Sequence, residues 1–137
     1  TKNEKSYKVN IDLFKNNVIK TENNIRHFFS NISNENICIW GAGGRGVTFI
    51  NLISDLLDNK NISVVDSDKR KHGMYVPISG YKIESPFSFY DNKFNKIIIT
   101  TALGEKGILD EIKKLNINAL EGIYHLSNGT IKKIENF

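Results

Sequence analysis

The sequence predicts a three-layer α/β fold built on a doubly wound parallel sheet, and three observations carry that expectation. The apolar run Ile37-Cys38-Ile39-Trp40 passes directly into Gly41-Ala42-Gly43-Gly44-Arg45-Gly46. An apolar pattern with the 3.6-residue helical period follows. A second apolar run, Ile62-Ser63-Val64-Val65, then ends in Asp66, twenty residues beyond Gly46. Strand, glycine turn, helix, strand and acid together form a signature for holding a dinucleotide, stronger evidence than a glycine hexad alone.

Taken in order, residues 1–9 read as a flexible lead-in and 10–137 as one domain. Asn10 is a candidate N-cap. Ile11, Phe14, Val18, Ile25, Phe28 and Ile32 recur at helical spacing, with Thr21 in one slot, so an amphipathic helix is expected to lead the domain over 10–34. Its stripe must be buried against the following domain or, through the 10–32 segment, against a neighbouring domain or a second copy in a homodimer. The first strand is expected at 37–40. The next helix puts Val47, Ile50, Ile53 and Leu57 on one face, and the second strand covers 62–66.

Ser67 to Gly80 reads as a polar loop and Tyr81–Glu84 as a short third strand. Ser85-Pro86 opens a brief helical turn, with Ser as cap and Pro at the first position. Ile97-Ile98-Ile99-Thr100 is β-branched throughout, as a strand covered on both faces requires. A helix from Gly104 turns Ile108, Ile112 and Leu115 inward, and a fifth strand is expected around Ala119–Ile123. Asn128-Gly129, between Tyr124-His125-Leu126 and Ile131, is a strong turn signal and predicts a terminal β-hairpin.

Alternating strands and helices with right-handed crossovers give a Rossmann-like sheet of about five strands in the order 3-2-1-4-5. The order reverses between strands one and four, and ligands bind over the carboxyl ends at such a point. That topology gathers Gly41, Ala42, Gly43, Gly44, Arg45, Gly46, Asp66 and the Thr100–Leu103 turn, with Thr100 and Thr101, around one crevice. Gly41 suits a sharp turn, Gly43 lets a pyrophosphate approach the main chain, and Gly46 lets helix pack on strand. The helix N-terminus offers unpaired amides to an anion. Arg45 and the basic run Lys69-Arg70-Lys71 suit a diphosphate, with Lys71 a binding candidate, and Asp66 suits a ribose diol.

Bulk composition narrows the classes. The 137 residues suffice for one domain, and 39% hydrophobic with 25% charged residues suits a water-soluble one. No apolar run approaches the roughly 18 residues of a membrane span, and the polar start is unlike a signal peptide. Cys38 is the single cysteine, which excludes an internal disulfide and suits a cytoplasmic protein. His27, His72 and His125 are scattered and no metal site is expected. The net charge of +4 is spread along the chain, so nucleic acid is not an expected partner. Thr1 in place of Met points to a fragment of a larger protein. His72, in the basic loop, is expected to face solvent, His125 to pack or face solvent, and Trp40 to be core.

The stretch Val65-Asp66-Ser67-Asp68-Lys69-Arg70-Lys71-His72-Gly73, then Pro77 and Tyr81-Lys82-Ile83-Glu84-Ser85-Pro86, resembles the carboxyl-terminal domain of sugar C-methyltransferases acting on nucleotide-linked deoxysugars. The long helix and the Gly41-Ala42…Arg45-Gly46 turn fit the same pattern, while Ile78-Ser79-Gly80 after Pro77 departs from it. The resemblance implies a Rossmann-like accessory domain, not itself catalytic, that holds a nucleotide-sugar for a transferase in bacterial polysaccharide or deoxysugar biosynthesis. S-adenosylmethionine would bind only in a separate, absent domain. The turn is also similar to that of the amino-terminal, nucleotide-sugar-binding domain of sugar acyltransferases, with Arg45 where that family has histidine.

Three readings of the function follow. The first is a nucleotide-sugar-binding module. The second is an NAD-binding sugar oxidoreductase domain, weakened by the lack of a Tyr-x-x-x-Lys pair after the fourth strand. The third is a non-catalytic docking platform.

Overall fold

The computed structural model describes residues 2–135 apart from 33, 59, 90–93, 102–103, 116, 118–119 and 128, and leaves aside the side chains of 2–10, 14, 17, 18 and 89. The apolar runs form strands β1 (Asn36–Trp40), β2 (Asn61–Val65), β3 (Ile83–Glu84), β4 (Lys96–Ile99) and β5 (Gly122–Ser127), and β6 (Thr130–Lys133) completes the sheet. The strand order is β3-β2-β1-β4-β5-β6. All neighbours are parallel except the β5–β6 pair. The expected 3-2-1-4-5 order is therefore observed, with a hairpin strand added at the far edge. The expected fifth strand and the first arm of the expected hairpin are a single strand, β5. Ala119, Asn128 and Leu103 lie outside the described residues.

Strand alternation sends successive side chains to opposite faces and builds two cores. Ile37 and Ile39 of β1 point to one face, where they meet Ile25, Phe29, Ile50 and Leu57. Cys38 and Trp40 point to the other, against Ile97, Ile99, Ile108 and Ile112. The second face is covered by α4 (Glu105–Leu115) and the first by α1 (Lys2–Ser30), α2 (Gly44–Leu52) and α3 (Ser54–Leu57). Ile25, Phe29 and Ile32 are buried, so the leading helix spends this part of its stripe on its own domain. Phe28 stacks edge-on against both Phe29 and Tyr124.

Three expectations are corrected. The leading helix begins at Lys2 rather than Asn10, so residues 2–9 are helical and not a flexible lead-in. That stretch contains Lys and Glu but neither Gly nor Pro, and Asn10 is only a mild cost inside a helix. The helix expected through Val47 to Leu57 is interrupted at Ile53, with φ −117° and ψ 15°. Ser54 Oγ donates to the Asn51 carbonyl at 3.3 Å, a local alternative to the helical ladder. Ile50, Ile53 and Leu57 stay fully buried across the break. The third strand is shorter than expected because Tyr81 and Lys82 pair with the loop before them. Val76 N–H donates to Tyr81 O, and Ile83 N–H to Met74 O, both at 2.7 Å. The loop thus folds back over the sheet edge, and Ser85 Oγ caps the following Pro86–Phe89 turn by accepting from Phe87 N–H.

Candidate functional site

The glycine turn is built by close approach. Gly41 has φ 120°, and a Cβ there would lie 2.5 Å from Thr100 Oγ1. A Cβ on Gly46 would lie 1.9 Å from the Gly41 carbonyl oxygen, so only glycine lets α2 start against β1. Buried Thr100 holds this bend by donating from Oγ1 to the Gly41 carbonyl at 2.8 Å. Gly43 differs in kind. Its φ of −78° suits any residue, and a Cβ there would meet only Lys71 Nζ, at 3.7 Å. Gly43 O accepts the Val47 amide at 2.9 Å, closing the first helical turn. The amides of Gly44, Arg45 and Gly46 therefore have no acceptor inside α2 and sit at the positive end of its dipole.

Over this turn lies a cavity of about 190 Å³ lined by Gly41, Gly43, Gly44, Arg45, Gly46, Asp66, Lys71, Thr100 and Thr101. Of the site residues expected from sequence, Ala42 alone does not line it. Ala42 is buried in the core beneath, and its contribution is its amide.

That amide changes the part played by Asp66. Ala42 N–H donates to Asp66 Oδ2 at 2.8 Å, and Asp68 N–H donates to Oδ1, also at 2.8 Å. Lys71 Nζ approaches Oδ2 at 3.4 Å. Both oxygens of the ribose candidate are thus already engaged, and the carboxylate staples the glycine turn to the loop after β2. Sequence spacing placed the acid correctly but could not show what it bonds.

The following loop is more ordered than its composition suggests. Asp68 caps the Lys69–Lys71 turn, accepting from the Arg70 amide, and pairs with the Arg70 guanidinium at 2.9 Å. These bonds to Arg70 pull the Asp68 carboxyl down to about 2. His72 does not simply face solvent: its Nε2 lies 2.6 Å from the Asp66 carbonyl oxygen, which can only accept, so that nitrogen carries the proton. The loop therefore fixes Lys71 at the cavity wall. Trp40 is core as expected, donating from Nε1 to Ser67 Oγ at 3.1 Å. His125, half-buried, lies 3.6 Å from Glu105. Among the described residues no helix is long and apolar enough to cross a membrane.

Residues 33–123 match the family model described as C2185-like, N-terminal. The chain belongs to this family. The description names neither of the two families that the loop motifs resemble. No curated protein matches the sequence significantly. Among solved structures, the C2185-like domain is similar to UDP-D-quinovosamine 4-dehydrogenase from Vibrio fischeri, with TM-score 0.54 and 17% identity over 76% of this chain and 96% of that one. It is also similar to RSP, a Rex-family repressor, with TM-score 0.51 and 17% identity over 67% of this chain and 44% of that one. RSP structures include complexes with β-NADH and with β-NAD+ and operator DNA. At such identity these likenesses establish a Rossmann-like fold for the C2185-like domain.

Proposed function

We propose that the C2185-like domain binds a nucleotide-linked sugar and grips it by the diphosphate. The observation that carries this reading is the cavity over the glycine turn, where helix amides with no acceptor inside α2, Arg45 and Lys71 converge, while Asp66, the one acid among the described lining residues, is already bonded to main-chain amides. Such a wall offers donors and positive charge, which match an anion of diphosphate type. A volume near 190 Å³ suits that group rather than a whole nucleotide, since complete ligand pockets run to roughly 300–1,000 Å³. Support for a methyltransferase context, with this domain presenting a sugar to a separate catalytic domain, comes from the resemblance of the Lys71-His72-Gly73, Pro77 and Ser85-Pro86 motifs.

NAD is the second reading. It carries the same diphosphate, and the fold neighbours include a sugar dehydrogenase and an NADH-bound repressor.

Thermal-shift measurements with nucleoside diphosphates, nucleotide-sugars, NAD and S-adenosylmethionine test the proposal. At a hundredfold excess over Kd, binding adds about 2.7 kcal/mol, of the order of 10 °C in Tm. Nucleoside diphosphates and nucleotide-sugars are expected to stabilise the domain. Gly43→Val, whose backbone angles any residue can adopt, should fold normally and lose the response by filling the space beside Lys71. Stabilisation by NAD alone would move the assignment to the second reading, and no response to any ligand would leave a docking platform.

A further inference from the structure

The loop between β2 and β3 exposes apolar side chains that the core does not use. Of the six large hydrophobic residues exposed among those described, Met74, Tyr75 and Ile78 fall within five consecutive positions, and Ile78 is 94% exposed. Single exposed apolar residues need no explanation, whereas a cluster of them marks a contact surface. The loop is firmly built. Tyr75 and Lys82 pair across it in the antiparallel sense, Val76 is buried beneath it, and Gly80 N–H donates to the Val76 carbonyl at 2.9 Å. At the tip Ser79 N–H donates to the Pro77 carbonyl at 2.9 Å, closing a γ-turn around Ile78, whose φ is 71°. A γ-turn of this hand is rare and strained, and a β-branched residue suits it worst. Packing does not account for isoleucine there, since almost all of it faces outward.

Charge supplies the second observation. Residues 69–83 hold Lys69, Arg70, Lys71 and Lys82 and no acid, although the whole chain has 19 basic and 15 acidic residues. Lys71 borders the glycine-lined cavity, but Lys69, Arg70 and Lys82 are exposed. Arg70 remains 90% exposed while paired with Asp68. We propose that this loop docks the domain on an anionic lipid surface, with Ile78 entering the boundary between headgroups and acyl chains and the three exposed cations lying against the headgroups. The proposal is independent of the diphosphate reading and needs no spanning helix. Lys82 lies on the same face as its cross-strand partner Tyr75. Tyr75 is three residues, roughly 10 Å of extended chain, behind the tip. Amphipathic surfaces sink roughly 5–10 Å into a bilayer, so cations set back by that distance meet the headgroup layer. A fluid surface also accepts a projecting tip without a matching pocket, and anionic headgroups complement a segment that carries cations and no acid.

Co-sedimentation of the full chain with vesicles tests this. Vesicles of equal parts phosphatidylcholine and phosphatidylglycerol are expected to bind the chain about tenfold or more tightly than pure phosphatidylcholine, with affinity falling as salt is added. Ile78→Gly removes the apolar tip and suits a φ of 71°, so Tm should stay at or above the wild-type value while vesicle affinity falls about tenfold. Lys82→Glu, at an exposed position, should weaken binding by about as much. Insertion has its own readout, because the one native indole, Trp40, is buried in the core. The indole introduced by Ile78→Trp should therefore shift its emission to the blue when anionic vesicles are added. No binding to anionic vesicles, as expected if the loop instead meets a protein, would overturn the proposal. So would equal binding to neutral vesicles, or an affinity unmoved by Ile78→Gly in a variant that keeps its Tm. If a variant does not fold, the comparison of the two vesicle types with the wild-type chain decides.

Discussion

Asp66→Ala removes the acceptor for two main-chain amides at once. The Ala42 amide, on a residue only 6% exposed, would be left buried without a partner. Hydrogen bonds to charged groups contribute about 1.5–3 kcal/mol each, and an orphaned buried donor costs a similar amount. The Asp68 amide is half-buried and can recover part of its bond from water. The Lys71 pair, at 3.4 Å and with about a third of the lysine side chain exposed, adds little. The expected loss is therefore about 3–5 kcal/mol, a large share of the roughly 5–15 kcal/mol that holds a domain together. Asp66→Asn keeps one acceptor but turns an N–H₂ group toward the other amide, so a loss of about 2–3 kcal/mol is expected. Equilibrium urea unfolding of wild type and both variants, with no ligand present, measures these values. A loss below about 1 kcal/mol for Asp66→Ala would refute the staple. It would return Asp66 to the role of a free acceptor for a ribose.

Further outcomes follow from the same geometry. Gly46→Ala should destabilise by about 1–3 kcal/mol or more, because its Cβ meets the Gly41 carbonyl. Gly44→Ala, with nothing within 4 Å, should be neutral or stabilising by up to about 1 kcal/mol, and urea midpoints of equal sign for the pair would contradict the packing. Burial alone would lower the Lys96 pKa, but Glu35 and Glu121, at 2.5 and 3.3 Å, outweigh it and the net shift is upward. A raised lysine contributes fully below its unfolded value of 10.5 and loses that contribution as pH rises through the folded value. The gap in urea midpoint between wild type and Lys96→Met should accordingly hold up to about pH 10 and shrink above it. Cys38 is fully buried and burial pushes its thiol pKa up, so a colorimetric thiol reagent should react only as the chain unfolds. Rapid labelling of the native protein would show that β1 is not the central strand described.

The order of the sheet was legible because it follows from two local periods and a rule of handedness. Ile37 to Trp40 and Ile97 to Thr100 read as strands, Ile108, Ile112 and Leu115 as a helix face, and right-handed crossovers left one arrangement. The cavity lining followed in turn, since a topological switch point collects whatever ends β1, β2 and β4. Gly41, Gly43, Gly46, Asp66 and Thr100 needed no side-chain detail to be placed there. The break at Ile53 and the short β3 were not legible, because a single serine hydroxyl and a loop folding back on an edge leave the apolar pattern almost unchanged.

By itself, then, the sequence determined the strand order, the two-sided core and the location of the glycine-lined cavity, all of which depend on periodicity over neighbouring residues. The tertiary structure alone decided that the Asp66 carboxylate is bonded to the Ala42 and Asp68 amides, that Gly43 has room for a side chain beside Lys71 while Gly46 does not, and that α1 and the hairpin line a second cavity beside Arg45. Those outcomes turn on ångström-scale distances between segments far apart in the chain, and no local pattern of residues encodes them.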